Sequence, residues 1–362
     1  MLKKYAHLLC NYCLDLKKSE KIYINSTTLA VDLVREVYRE ALKLGAIPEV
    51  DLHFREMNKI LLENGNEEQL GHQPILFKNA VDKFDAVLFI RAPFNHSEEK
   101  NVNPEKRLKR SKYLSSISKK YLVRTATRSL KRTLCEFPTA ASAQIAGMSM
   151  EDYEKFVYNA CHLYSEDSIK SWKKIGIEQQ VLVDYLNRCQ DMRFKGPRTD
   201  VSFSVKDRIW INSDGKTNMP SGEVFTGPVE DTVNGTVFFD YPAIYLGEEV
   251  SGVTLTIVNG KVEKWSAERG ENVLTEIFKI KGSRYFGEVA IGTNYNITKA
   301  IKNILFDEKI GGTIHMALGQ SYKQTGGKNE SLIHWDLVSD MCKGEIFCDG
   351  EKIYENGNFL IL

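Results

Sequence analysis

Residues that could bind a metal ion are crowded near the C-terminal end of the chain. Of seven histidines, His315 and His334 lie within about twenty residues of each other, with Tyr322 between them and Asp336 close behind. The apolar flanks of His334 and Asp336 predict a strand over 333–338, in which residues two apart point to the same face. His315 lies in an apolar run bounded by glycines, which predicts a buried strand. Together these residues indicate a candidate metal site.

Two isolated acids earlier in the chain strengthen this prediction. Glu223 and Glu288 each stand alone in an otherwise apolar run that is flanked by glycines. Burying a lone carboxylate is costly unless a cation or hydrogen bonds compensate, and one metal ion compensates for several carboxylates at once. Water bound to such an ion is a nucleophile near neutral pH, so the set as a whole favours hydrolytic chemistry.

The same residues leave two other interpretations open. His315, His334 and Asp336 form a set of two histidines and one carboxylate, which is the ligand type of mononuclear non-haem Fe(II) enzymes, so the alternative is a ring-cleaving dioxygenase. A single iron would leave Glu223 and Glu288 without partners, and this favours hydrolysis. The third interpretation is a non-catalytic protein stabilised by metal. Structural zinc sites favour closed, cysteine-rich tetrahedra, however, and this set contains no cysteine.

The elements that would position these residues differ between the two halves of the chain. Up to about residue 195, helical stretches alternate with short apolar runs at 22–24, 47–52 and 85–90. This alternation is typical of an α/β domain with a mainly parallel sheet. Ser26-Thr27-Thr28 is expected to cap a helix that ends at Gly45. A long helical stretch over about 167–189 is expected to close this domain.

From residue 196 the pattern changes to short alternating runs separated by Gly and Asn turns. Asn259-Gly260 lies between the runs 253–258 and 261–265, and Asn-Gly in that position is a strong hairpin signal. We therefore predict two domains. Residues 1–195 would form an α/β scaffold domain, and residues 196–362 would form a β-rich α+β domain that binds metal and carries the catalytic site.

Charge and hydropathy exclude several classes of partner. The chain has 49 Lys and Arg against 48 Asp and Glu, so no global field attracts nucleic acid or an anionic membrane. The basic stretch 106–112 is interpreted as the solvated face of a helix. No apolar run is long enough to span a bilayer, and no GxGxxG or Walker-type loop supports nucleotide binding. We expect a cytoplasmic protein that binds neither nucleic acid nor membrane.

The cysteines predict a reduced protein. Seven cysteines are scattered along the chain, an odd number that argues against a disulfide framework and for free thiols. Cys10 and Cys13 form a CxxC pair, but they lie on an apolar helical face with no second CxxC. We therefore expect this pair to be part of the core rather than a zinc or redox site.

Four segments, taken in order, resemble the thermophilic aminopeptidase family, the aminopeptidase T-like metallopeptidases. They are 219–225, 287–290, 315–319 with Tyr322, and 334–336. The likeness covers nearly the whole chain and includes 137–139 and 146–149. The resemblance implies an enzyme with an α/β domain followed by a metal-binding domain. Such an enzyme uses two divalent ions to release the N-terminal residue from peptides with a free N-terminus, and it forms a homodimer.

Carried over motif by motif, the resemblance also implies the site residues. The metal ligands are Glu223, Glu288, His315, His334 and Asp336, with Glu308 as an additional one, and Tyr322 lies beside the metals. Zinc, cobalt and manganese all suit mixed carboxylate and imidazole ligands.

The charges of this set suggest the nucleophile. Two divalent ions bound by the three carboxylates of the main set leave a net charge of about +1, which favours a hydroxide shared by the two metals as the nucleophile. Tyr322 can donate a hydrogen bond to the developing oxyanion. No further acid stands out as a general base. Glu308 is separated from His315 by more residues than in the best-known family members, and the stretch from Tyr322 to His334 is shorter.

Overall fold

The computed structural model describes residues 1–245 and 247–361. It has the mixed α/β fold that the sequence predicts, with a parallel sheet flanked by helices followed by antiparallel sheets. The chain divides into two compact units, Met1–Ile169 with Gly215–Pro220, and Lys170–Asp214 with Ser221–Leu362.

The first unit is built on a five-stranded parallel sheet. Its helices are α1 (Leu2–Leu8), α2 (Val31–Lys43), α3 (Met57–Asn64), α4 (Glu67–Gly71), α5 (Ile75–Lys83), α6 (Pro104–Ala126), α7 (Ala140–Ile145) and α8 (Met150–Ala160). Its strands are β1 (Lys21–Thr27), β2 (Ile47–His53), β3 (Ala86–Arg91), β4 (Lys131–Glu136) and β8 (Asn218–Met219). The strand order is β2-β1-β3-β4-β8, and every neighbouring pair is parallel.

The predicted cap is confirmed only for a short turn before α2. The side chain of Thr27 accepts a hydrogen bond from the backbone of Leu29 and so caps the 3-10 turn Thr28–Ala30, whereas Ala30, which precedes α2, caps it with no side-chain hydrogen bond. At the other end, the left-handed Gly45, with φ +76°, follows α2 and stops it as predicted. Helix α1 continues into a π-helical turn over Leu9–Cys13. Cys10 and Cys13 are buried there, so the predicted role of this pair in the core is also confirmed.

The basic stretch 106–112 lies on α6, as predicted. The side chain of Asn103 caps the helix by accepting from the backbone of Glu105, and Ile117 is the residue that the helix buries. The remainder of the helix surface, including Leu108 and Leu122, is largely solvent-exposed or half-buried. Within the two described ranges of the chain, no helix is both long enough and apolar enough to cross a membrane.

The second unit consists mainly of antiparallel sheets. Its helices are α9 (Ser168–Leu186), of which all but the first two residues belong here, α10 (Glu271–Ile277) and α11 (Ile304–Asp307). Its strands are β5 (Asp191–Gly196), β6 (Thr199–Ser204), β7 (Ile211–Ser213), β9 (Glu223–Thr226), β10 (Asn234–Phe239), β11 (Ala243–Tyr245), β12 (Glu248–Val250), β13 (Val253–Val258), β14 (Lys261–Ser266), β15 (Phe286–Gly292), β16 (Thr313–Gly319), β17 (His334–Asp340), β18 (Glu345–Cys348), β19 (Glu351–Glu355) and β20 (Asn358–Phe359).

These strands form an eight-stranded sheet and a five-stranded sheet, with β11 and β12 as a separate pair. The orders are β14-β13-β10-β6-β5-β18-β19-β20 and β17-β16-β15-β9-β7. One hydrophobic core contains residues of both larger sheets and of α9, such as Phe194, Leu255, Ile314, Leu337 and Leu182. Burial of these side chains is the main force that holds the sheets together.

The predicted hairpin between β13 and β14 is confirmed. Asn259 and Gly260 have φ angles of +49° and +79°, which is the left-handed backbone that a tight two-residue turn requires. A side chain at Gly260 would also meet the carbonyl oxygen of Glu230 at 1.8 Å. Both the turn and the close approach therefore require glycine at this position.

The compact units do not follow the predicted boundary between residues 195 and 196. Nearly all of α9 belongs to the second unit, because Leu182 and Leu186 pack in the same core as Phe194. Strand β8 belongs to the first unit, because it pairs with β4 at the edge of the parallel sheet. The assignment of a scaffold role to 1–195 and a catalytic role to 196–362 stays a prediction.

The prediction that all cysteines are free thiols is wrong for one pair. Cys189 and Cys348 form a disulfide with their Cα atoms 5.8 Å apart. The pairing of β18 with β5 sets Cys348 opposite Met192 and so brings it close to Cys189. The two cysteines are 159 residues apart in sequence, and such a separation carries no local signal. The other cysteines remain thiols, with Cys10, Cys13, Cys135 and Cys161 buried and Cys342 exposed.

Candidate metal centre

One face of the five-stranded antiparallel sheet carries five of the predicted site residues. They lie on four strands, with Glu223 on β9, Glu288 on β15, His315 on β16, and His334 and Asp336 on β17. Residues directly opposite each other in an antiparallel sheet share a face, and so do residues two apart on one strand. The strand registers therefore bring these side chains to the same side of the sheet.

Small residues on the same face leave room for the cluster. Ala317 lies between Glu288 and Asp336, directly opposite each of them. Ala290 lies opposite His315, and Gly292 lies opposite Glu223. Because the intervening residues are alanine or glycine, the longer carboxylate and imidazole groups can converge above them.

Glu288, His334 and Asp336 form the first of two donor clusters, and their potential ligand atoms all lie within 4.8 Å of one another. His334 Nε2 is 3.4 Å from Glu288 Oε2 and 3.5 Å from Asp336 Oδ1. Its other ring nitrogen, Nδ1, is 2.7 Å from the carbonyl oxygen of Gln320. A hydrogen bond donated to that carbonyl fixes the orientation of the ring and directs Nε2 at the carboxylates.

Glu223, Glu308 and His315 form the second donor cluster, with the same mutual limit of 4.8 Å. His315 Nε2 is 3.6 Å from Glu223 Oε2 and 3.2 Å from Glu288 Oε1, so the two clusters adjoin. Glu308 immediately follows the short helix α11, and this turn brings it to the site despite its separation from His315 in sequence.

Two of the donor atoms lack hydrogen-bond partners among the described residues, and a bound cation would compensate for this. In the described part of the chain, Glu223 Oε2 and Asp336 Oδ1 are buried and accept no hydrogen bond. Buried carboxylate oxygens without partners are costly. Carboxylate oxygens and imidazole nitrogens are also the ligands that zinc, cobalt and manganese accept. The residues present therefore fit divalent cations.

The charges within the site shift its pKa values strongly. Burial alone would lower the pKa of His315, but its hydrogen bond to Glu288 and the charges of Glu223 and Glu288 raise that pKa to about 9. Burial raises the pKa of Glu308 to about 8, against the opposing charge of Lys309. Burial would also raise the pKa of Asp336, yet the charge of His334 lowers it to about 2. In the metal-free site, His315 and Glu308 therefore hold protons near neutral pH.

Sequence reasoning missed one residue of the site, Lys309. Its side chain is completely buried, and Nζ contacts a carboxylate oxygen of Glu308 and lies 3.6 Å from Glu223 Oε1. Burial alone would lower the pKa of Lys309, but the charges of Glu223 and Glu308 raise it, so the side chain is an ammonium at neutral pH. A lysine directly after the acids Asp307 and Glu308, the second of them an expected ligand, was the available signal.

Tyr322 lies beside the first cluster and is accessible to solvent. Its ring is 4.8 Å from that of His334 and 5.9 Å from that of Phe225, centroid to centroid, and 42% of the residue is exposed. Desolvation of the hydroxyl group raises the pKa of Tyr322, so it remains a neutral phenol and a hydrogen-bond donor. The structure thus brings all seven predicted site residues to one place.

Comparison with known proteins decides the family. The family model described as thermophilic metalloprotease (M29) matches residues 1–359. The chain belongs to this family. It is therefore a metallopeptidase, and a divalent metal cofactor is implied. The dioxygenase alternative finds no support in these comparisons.

Several relatives match over almost their full length. Aminopeptidase 2 of Geobacillus stearothermophilus is 27% identical, with 99% of this chain and 97% of that protein covered. Aminopeptidase T of Thermus thermophilus is also 27% identical, with 98% and 95% covered. The solved structure of wild-type AmpT from Thermus thermophilus superposes with a TM-score of 0.86 at 25% identity, covering 99% of this chain and 98% of that one. The fold is thus shared along the whole chain.

Proposed function

We propose that this chain is a two-metal aminopeptidase that hydrolyses the N-terminal residue from peptides with a free N-terminus. The observation that carries the proposal is the pair of adjoining donor clusters, formed by five side chains of one sheet face and by Glu308 after α11. One pair of acids would suffice for a single ion, but two sets of three donors suit two. The names of the relatives, which are aminopeptidases, support the preference for the N-terminus.

In this proposal each cluster holds one divalent ion. The ligands are Glu223, Glu308 and His315 for one ion, and Glu288, His334 and Asp336 for the other. Zinc, cobalt and manganese are all compatible with these donors. The chemistry that two bound ions supply is activation of water to hydroxide and polarisation of the scissile carbonyl.

Two other residues of the site orient a ligand and stabilise the oxyanion. The backbone carbonyl of Gln320 holds the imidazole of His334 through Nδ1, so the ring cannot turn away from the carboxylates. The phenol of Tyr322 donates a hydrogen bond to the oxyanion that develops on the scissile carbonyl. The residue is 42% exposed, so a peptide that enters from solvent can contact it.

The test combines metal content with substrate selectivity. The purified protein is expected to contain two divalent ions per chain and to release free amino acid from unblocked peptides but not from N-acetylated ones. Glu288→Gln should lower metal content and abolish release while the far-UV circular dichroism stays unchanged. Glu276→Gln, an exposed acid paired with Lys279, is the matched control. Retained cleavage in Glu288→Gln, or equal cleavage of the acetylated peptide, would contradict the proposal.

Assembly and location remain predictions. The resemblance to the family implies a homodimer, which light scattering on the purified protein tests directly. The balanced charge of 49 basic and 48 acidic side chains underlies the expectation that neither nucleic acid nor an anionic membrane is a partner. A cytoplasmic location is expected from the sequence as described above.

A further inference from the structure

An ammonium group lies within one of the two donor clusters. The Lys309 side chain has no exposed surface, and its Nζ contacts Glu308 and lies 3.6 Å from Glu223 Oε1. Lysine is almost never fully buried unless it is paired, because removing its charge from water is costly. Glu223 and Glu308, two of the three donors of this cluster, provide that pairing.

The other cluster has a different set of partners. Across the described residues, the ion pairs of Glu288 and Asp336 within 4.0 Å are with His315 and His334, and neither acid pairs with a lysine or an arginine. An imidazole can lose its proton and become a ligand. A lysine ammonium has three donor hydrogens and no acceptor lone pair, so it opposes a cation instead of binding it.

We propose that Lys309 is a built-in counter-cation that makes the two metal positions unequal. The Glu288–His334–Asp336 cluster binds the first divalent ion tightly. The Glu223–Glu308–His315 cluster binds the second ion more weakly, because the ammonium repels the ion and already contacts the carboxylates. This inference rests on the proposed two-metal site and goes beyond it, since it assigns an order of loading and the residue that sets it.

Charge accounting supports a role of this kind. Glu223, Glu288, Glu308 and Asp336 carry four negative charges, which two divalent ions would already neutralise. Lys309 then adds one positive charge that no carboxylate of the loaded site needs. At a separation of about 4 Å, like charges in a protein interior repel strongly enough to change affinity by about tenfold or more.

The experiment is a titration of the chelator-stripped full chain with Co²⁺, followed by visible absorption and by equilibrium dialysis. The wild-type protein is expected to bind two ions in separate steps, with the second dissociation constant larger by about tenfold or more. Lys309→Met should tighten the second step by about tenfold and leave the first unchanged. Lys352→Met is the control, because Lys352 pairs with Glu345 and Glu355 on the other large sheet.

A second variant guards against misfolding. Lys309→Gln removes the charge but keeps a hydrogen-bond donor for Glu308, and it should tighten the second step in the same direction. Two wild-type steps of equal affinity would overturn the inference. So would a second step that both variants leave unchanged, or one that both variants weaken, because Lys309 would then hold the ligands in place.

The same titration separates this inference from the proposed function. If wild-type protein loaded with two Co²⁺ ions cleaves no unblocked peptide, the proposed function fails while the inequality of the two positions still stands. If the loaded protein cleaves peptides but Lys309→Met and Lys309→Gln leave the second step unchanged, the function stands and the inference fails.

Discussion

The two histidines beside Glu288 hold protons where metal ions would lie. Glu288 Oε1 is 3.2 Å from His315 Nε2, and Glu288 Oε2 is 3.4 Å from His334 Nε2. An imidazole binds a metal ion only in its neutral form, and a carboxylate only when ionised. Protons and metal ions therefore compete for the same lone pairs. The pKa values of the metal-free site determine the pH above which metal ions displace the protons.

We predict that metal uptake strengthens as the pH rises towards about 9. In the free site the pKa of His315 is raised from 6.5 to about 9 and that of Glu308 from 4.5 to about 8. Each ion that binds must displace these protons, so affinity for Zn²⁺ increases until both groups are deprotonated. Equilibrium dialysis against buffered Zn²⁺ at several pH values measures this. Equal affinities at the two ends of the range would contradict it.

Stability of the metal-free protein should change in the opposite sense. A raised pKa in the folded state contributes stability that is fully present below the ordinary pKa and is lost as pH rises through the folded value. His315 therefore makes the melting temperature of the metal-free protein fall between pH 6.5 and about 9. The lowered pKa of Asp336 acts at the acid end, where its contribution is lost as pH falls from 3.8 through about 2. Metal-loaded protein is the control and should lack the alkaline decline.

The phenol of Tyr322 gives a prediction about rate. Tyr322→Phe keeps the ring that packs 4.8 Å from His334 but removes the hydrogen-bond donor. Loss of one oxyanion donor should lower kcat by about a hundredfold, with KM and metal content nearly unchanged. Steady-state kinetics on an unblocked peptide measures both constants. Tyr245→Phe, whose ring packs against Trp335, is the matched control, and an equal loss of kcat there would contradict the role of Tyr322.

Residue types and spacing singled out most of the candidate site residues, and the family resemblance alone added Glu308. Glu223, Glu288 and His315 were found because a charged or polar residue stood alone in an apolar run, and His334 and Asp336 because they share a strand face. Lys309 was not found, because a lysine is not itself a metal ligand and so does not stand out beside acids and histidines that need a cation. Its burial depends on how the chain turns after α11, and sequence periodicity does not describe such turns.

At the scale of elements, the sheet face has room for the donor clusters because the residues between the ligands are small. Ala317 on β16 lies directly opposite both Glu288 on β15 and Asp336 on β17. Ala317→Val would add two methyl groups beneath the first donor cluster and force the carboxylates apart. We expect loss of about one metal ion per chain and a destabilisation of about 1–3 kcal/mol from overpacking.

Metal analysis and urea denaturation check this prediction. Ala317→Gly is the control, because it keeps the space above the strand and costs only the lower strand propensity of glycine. It should retain both ions. If Ala317→Val binds metal as well as the wild-type protein does, the small residue is not what makes room for the cluster.

Elements with a clear hydrophobic periodicity were predicted from the sequence, and elements without one were not. The runs that became β1, β3, β13 and β14 carry apolar or alternating residues and turn signals. Strand β8 contains two residues, too few to show a period, and its place beside β4 is a tertiary contact. The order of the eight-stranded sheet and the disulfide between Cys189 and Cys348 also depend on pairings between distant segments.

At the scale of the whole molecule, all the candidate ligands lie in the second compact unit. A ligand that binds only the folded state stabilises what it binds. We predict that adding Zn²⁺ to the metal-free protein slows hydrogen exchange in β15, β16 and β17, with β1 and β3 of the first unit unchanged. Exchange mass spectrometry resolves these segments. Uniform slowing along the chain would show that the metal stabilises both units as one cooperative body.

The alternation of side chains along β17 has one further consequence. If β17 were displaced by a single residue against β16, Trp335 and Leu337 would face the donor cluster, and His334 and Asp336 would turn to the opposite face. Such a molecule could keep most of its backbone hydrogen bonds and still lack two of the three donors of the first cluster. The metal content of a sample therefore measures the fraction of molecules in which β17 has the correct register. For a refolded sample, this fraction can be determined before any substrate is added.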